Sequence, residues 1–131
     1  MYDSETFVLN LPFPPSVNSY YGITLKGKFP IKYIKDAGKK YQNEVNTYIQ
    51  ENNFNIGINI PIKVEIILNF PTRHRSDLDN RMKALLDSLT LSNVWEDDSL
   101  IDDLHVIRGD VGKPGSVIMK ISECILWMMI I

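Results

Sequence analysis

At 131 residues, 44% of them hydrophobic and 23% charged, the chain has material for one compact core and excludes the disordered and membrane-embedded classes. A formal net charge of -2 and a pI near 5.6 argue against a uniformly basic nucleic-acid binder. The lone Cys124 excludes an internal disulfide, and with only His74 and His105 beside it a structural zinc site is not expected.

The first residues, Met1-Tyr2-Asp3-Ser4-Glu5, lack the basic then apolar run of an export signal, so a cytoplasmic location is expected. Thr6 to Leu11 reads as a strand stopped by Pro12, and Pro14 and Pro15 hold the following residues extended. Ser16 to Tyr21 then reads as a packed polar and aromatic loop. Ile23 to Leu25 and Phe29 to Tyr33 flank Lys26-Gly27-Lys28, which predicts a hairpin with a basic tip whose second arm Pro30 confines to an edge. From Lys35 to Asn52 the pattern turns helical, with Ala37, Tyr41, Val45, Tyr48 and Ile49 on one stripe.

After a polar loop through Pro61, the run Ile62, Val64, Ile66, Leu68 and Phe70 alternates with Lys63, Glu65 and Asn69, the clearest strand in the chain. Met82, Leu85, Leu86 and Leu89 recur at helical spacing, predicting a helix from Asp79 or Asn80, either serving as N-cap, to Leu89 or Leu91. Leu104, Val106 and Ile107 predict another strand, Gly112 to Gly115 a turn, and Val117, Met119 and Ile121 a last strand paired antiparallel with the previous one. The apolar run Cys124 to Ile131 is shorter than the roughly 20 residues needed to span a bilayer, so it is expected to be buried in the core, to extend the last strand or, ranked after burial, to make a subunit contact. The expected architecture is a single α+β (mixed α/β) domain over 1–131, a mixed sheet with two main helices and no membrane association.

Charge is uneven along the chain. Lys26, Lys28, Lys32, Lys35, Lys39 and Lys40 crowd one stretch, and Glu96, Asp97, Asp98, Asp102 and Asp103 another. Between them lies Arg73-His74-Arg75-Ser76-Asp77-Leu78-Asp79-Asn80-Arg81-Met82-Lys83, at a strand end and helix start. In an extended segment Asp77 and Asp79 share one side and can grip one cation, with Lys83 one turn along on the side of Asp79. Oxygen donors for a hard cation, a neighbouring ammonium and arginines for the backbone are the parts that phosphodiester cleavage needs. The competing meaning is a solvated face, with Asp79, Lys83 and Asp87 spaced for i,i+4 ion pairs. An EF-hand loop from Asp77 fails because Met82 stands where glycine is required, and a phosphatase-type nucleophile fails because Arg73 to Ser76 is not a buried apolar strand.

Pro12-x-Pro14-Pro15-Ser16-x-Asn18, then Asp77-x-Asp79-Asn80-x-x-Lys83, then Trp95-Glu96-Asp97-Asp98 occur in the order that resembles the RusA family of Holliday junction resolvases over nearly the whole chain. His74 and Ser76 interrupt the arginine run that family members carry before the motif, and the apolar tail is not a family feature. The resemblance implies that Asp77, Asp79 and Asp98 bind magnesium, for which manganese can substitute, and that Lys83 assists catalysis. It implies a homodimer that resolves four-way DNA junctions by paired symmetric cuts in recombination and repair. Arg73, Arg75, Asn80, Lys26, Lys28, Lys39 and Lys40 are the candidate DNA contacts. The alternatives are another divalent-metal phosphoryl hydrolase and a branched-DNA-binding module without catalysis.

Overall fold

A computed structural model describes residues 6–124, and the apolar run 125–131 lies outside them. Strand β1 (Thr6–Leu11) leads through the prolines to a single helical turn, α1 (Val17–Tyr20), where the sequence predicts a loop. Ser16 explains the turn, because its hydroxyl accepts from the Ser19 N–H at 3.4 Å and caps the first orphan donor. Strands β2 (Tyr21–Lys26) and β3 (Phe29–Ile34) form the expected hairpin, with Gly27 at φ +65 supplying the left-handed residue at its tip. The ribbon is a separate two-stranded sheet, so Pro30 removes no bond from a larger ladder.

Helix α2 (Asp36–Glu51) buries Gly38, Tyr41, Val45 and Ile49. Gly38 replaces the expected Ala37, which is exposed, because a Cβ at position 38 would stand 2.9 Å from the Tyr20 carbonyl oxygen of α1. Strand β4 (Ile62–Asn69) alternates as read, with Ile62, Val64, Ile66 and Leu68 inside. Burying each such aliphatic chain contributes about 2 kcal/mol. Helix α3 (Met82–Leu91) adds Leu85 and Leu89 to the same core, and β5 (Ile101–Arg108) and β6 (Ser116–Glu123) complete the fold.

The main sheet has the order β1-β6-β4-β5. Strands β5 and β6 are therefore not partners, which corrects the pairing expected from their adjacency in sequence. The helical crossover through α3 returns β5 parallel to β4, and β6 then inserts antiparallel between β4 and β1. Burial explains the choice: Val117, Met119 and Ile121 of β6 are fully covered, as a middle strand requires, whereas β5 has no fully buried residue and carries Asp102, Asp103 and His105 at the edge. The result is an α+β domain with a mixed sheet and two main helices. Cys124 is buried, its N–H bonded to the Pro61 carbonyl at 3.0 Å. Among the described residues no helix is long and apolar enough to cross a membrane.

Candidate active site

Strand β4 delivers the chain to Phe70, which is buried and forms the floor of the site. Its ring centroid lies 4.8 Å from that of Phe13, while the Arg108 and Arg81 guanidinium carbons stand 4.4 Å and 5.9 Å from it. Arg81 also donates from Nη1 to the Pro14 carbonyl at 3.1 Å, so the proline-rich segment is held against the motif from the inside. Burial lowers the Arg81 pKa from its ordinary value. Arg108, at the end of β5, donates from Nη2 to the Ser76 carbonyl at 2.6 Å and anchors the backbone one residue before Asp77.

The segment from Asp77 to Arg81 is a turn, which corrects the extended reading. Leu78 is helical at φ -61 and ψ -42, the Asn80 N–H donates to the Asp77 carbonyl at 3.3 Å, and Asp79–Arg81 is a 3₁₀ turn. Neither Asp79 nor Asn80 caps α3 with its side chain, because this turn supplies the first backbone bonds instead. Asp77 and Asp79 are exposed and make no ion pair with any described residue. Arg73 and Arg75 are exposed on the approach and Asn80 is half-buried.

Lys83 stands in the first turn of α3, with its Nζ 3.2 Å from Oδ1 of Asp87. The other oxygen of Asp87 accepts the Tyr21 hydroxyl at 2.6 Å. The Tyr21 ring has the Lys32 ammonium 3.9 Å from its centroid and that of Lys83 at 6.0 Å. Burial and the bond to Asp87 push the Tyr21 phenol well above its usual value, so it remains a donor. Tyr21, Arg81, Asp87 and Arg108 are thus site residues that the motif by itself does not assign. Arg81 and Asp87 lie within reach of the motif by spacing alone. Tyr21 and Arg108 meet partners 66 and 32 positions away and leave no local signal.

Asp98 opens a second 3₁₀ turn, Asp98–Leu100, after the buried Trp95, whose Nε1 donates to Thr90 at 2.7 Å. Asp97 accepts the Ser99 N–H at 3.1 Å, and its bonds to Ser99 hold its carboxyl below the usual range. Asp97 is therefore the cap, and half-buried Asp98 makes no ion pair with a described residue. The chain does not bring Asp98 to Asp77 and Asp79. Asp79 follows the C-terminal end of β4, whereas Asp98 precedes the N-terminal end of its parallel neighbour β5, so α3 lies between them. Ten residues of helix span about 15 Å. Among the described residues no three His, Cys, Asp or Glu side chains gather closely enough to hold a metal ion.

The candidate DNA contacts fall on two elements. Lys26 and Lys28 flank the hairpin tip, and Lys39 and Lys40 are exposed on α2. Lys40 lines a groove with Phe13, Pro14, Pro15, Pro71 and Arg81, which leads from α2 to the start of the motif segment. The donor chemistry suits a hard divalent cation: Asp77, Asp79 and Asp98 all offer carboxylate oxygens that no described side chain pairs, and the segment from Arg73 to Lys83 has no cysteine.

The family model described as endodeoxyribonuclease RusA matches residues 12–121. Curated relatives carrying the name crossover junction endodeoxyribonuclease RusA include proteins of Escherichia coli O139:H28, 36% identical, and Escherichia coli K12, 35% identical. A protein of Enterobacteria phage 82 with the same name is 36% identical. Each alignment covers 91% of this chain and 96% of the relative.

Proposed function

The chain belongs to the RusA family of endodeoxyribonucleases, and from that premise we propose that it is a structure-specific nuclease that resolves four-way DNA junctions by paired symmetric cuts, as a homodimer, in recombination and repair. The observation that carries this reading is the anchored turn: two exposed, unpaired carboxylates, Asp77 and Asp79, fixed at Ser76 by Arg108, with the Lys83 ammonium beginning the next helix. Asp77, Asp79 and Asp98 would hold a divalent cation, magnesium or in its place manganese, which when bound activates water and offsets charge on the phosphate. Lys83 neutralises charge on the reacting phosphate or its leaving oxygen. Arg73, Arg75 and Asn80 position the strand being cut, and Lys26, Lys28, Lys39 and Lys40 hold neighbouring phosphates. Acting on DNA, the protein works in the cytoplasm.

The position of Asp98 supports the dimer. With Asp98 beyond the far end of α3, a site that combines it with Asp77 and Asp79 takes Asp98 from a second copy, and two copies give the two cuts that a two-fold junction demands. The hairpin supports the same reading, because Ile23, Leu25 and Phe29 are 74%, 70% and 75% exposed on a ribbon too small to be stable by itself. Cleavage of synthetic junctions against linear duplex, with and without magnesium, tests the function. Cutting of junctions that requires the cation is expected. Binding without cutting would favour a non-catalytic module, and hydrolysis of free nucleotides in preference to junctions would favour another phosphoryl hydrolase.

A further inference from the structure

An i,i+4 pair on an exposed helix face is ordinarily a weak solvated contact. The Lys83–Asp87 pair is built differently. Asp87 is only 22% exposed, and while Oδ1 faces the Lys83 ammonium at 3.2 Å, Oδ2 is held at 2.6 Å by the hydroxyl of Tyr21 from the base of the hairpin. Tyr21 is itself fixed, its ring centroid 4.7 Å from that of fully buried Tyr20 in an edge-to-face arrangement. Tyr20 in turn accepts a bond from Gln42 of α2 at 2.6 Å. The carboxylate that faces Lys83 is therefore held by Tyr21 of β2, which is backed by Tyr20 of α1 and Gln42 of α2, so it is less free to swing away than a surface aspartate.

We propose that Asp87 is a positioning residue for Lys83, oriented by Tyr21, and that together they aim the ammonium at the reacting phosphate. The proposal rests on the catalytic role given to Lys83 above. The clamp also explains why the carboxylate does not simply repel the substrate: one oxygen is occupied by a phenol that stays protonated and the other by the ammonium. Lys32, on the neighbouring strand of the ribbon and 3.9 Å from the same Tyr21 ring, adds a second positive charge at this point, while the Tyr21 bond to Asp87 ties the ribbon to α3.

Single-turnover cutting and gel-shift affinity on one synthetic junction, measured for Asp87→Asn, Tyr21→Phe, Lys83→Ala and the Lys83→Ala/Asp87→Asn double variant, test this. Asp87→Asn keeps an acceptor for Tyr21 but loses the charge that holds the ammonium, so the cutting rate should fall about tenfold while junction affinity is kept or improved. Tyr21→Phe, which leaves the ring packing in place, should lose a smaller factor of the same kind. In the Lys83→Ala background the Asp87 change should cost nothing further, since a residue that acts through another is silent once that other is gone. Asp87→Asn cutting at the wild-type rate while Lys83→Ala is impaired overturns the positioning role and leaves Lys83 catalytic. An equal loss from Asp87→Asn in both backgrounds also overturns it, because the carboxylate then acts independently. Wild-type cutting by Lys83→Ala removes the catalytic role of the lysine and this proposal with it.

Discussion

Arg108 donates to the Ser76 carbonyl at 2.6 Å, joining the end of an edge strand to the residue before Asp77. The same guanidinium stacks 4.4 Å from the centroid of Phe70, so its aim is set by a buried ring. Arg108→Ala should release the motif turn at its N-terminal end. A charge-assisted bond of this kind is worth about 1–3 kcal/mol, and a fall of the same order in stability is expected. The cutting rate should fall about tenfold or more, since small displacements of a catalytic group are costly. Arg108→Lys should not restore it, because an ammonium cannot both stack and donate in the plane.

Replacement of Asp77, Asp79 or Asp98 by asparagine should stop cutting and leave junction binding intact or tighter, because each carboxylate that would hold a cation also repels phosphate. Subunit mixing adds a sharper test. Neither Asp79→Asn nor Asp98→Asn homodimers should cut, yet a re-equilibrated mixture should regain nicking, since one site of each mixed dimer then receives a full set of carboxylates. A mixture as inactive as its parents would mean that each site draws its acids from one chain. Sedimentation showing an active monomer would remove the dimer altogether.

Lys26 and Lys28 flank an exposed hairpin tip while Lys39 and Lys40 lie along α2, and none of the four makes an ion pair with a described residue. Their joint replacement by alanine should weaken junction binding and flatten its dependence on salt, by up to about 0.9 in slope for each phosphate that is no longer neutralised. Binding measured across a salt series checks this. An unchanged slope would mean that the lysines are only solvated.

Burial raises the phenols of Tyr21 and Tyr41 above their ordinary value of 10.0, and Asp87 and Glu44 add to the respective shifts. Each neutral phenol is favoured in the fold, so this stability is fully present below pH 10.0 and is lost as pH rises through the higher folded-state values. Thermal stability should decline above that point. Tyrosinate absorbance from these two residues should appear together with the loss of helical circular dichroism rather than before it.

The local elements were legible because burial follows the short period of each backbone. Ile62 to Phe70 alternate and Tyr41, Val45 and Ile49 recur at helical spacing, and any chain that buries those side chains must adopt those conformations. The motif stood out for a chemical reason, since two carboxylates, an ammonium and arginines in a short stretch are the parts that phosphate chemistry uses, and its order with Pro12 to Asn18 and Trp95 to Asp98 carries the family resemblance. Strand order was not legible. Whether β6 joins β5 or inserts beside β4 depends on the total burial of Val117, Met119 and Ile121, a property of the assembled sheet. The turn at Asp77, the clamp of Tyr21 on Asp87 and the separation of Asp98 from Asp79 were decided by contacts between distant segments, or by which end of a helix a loop occupies. Residue spacing carries no energy for such choices; they are made when the core closes and the polar groups left at its edge take the partners within reach.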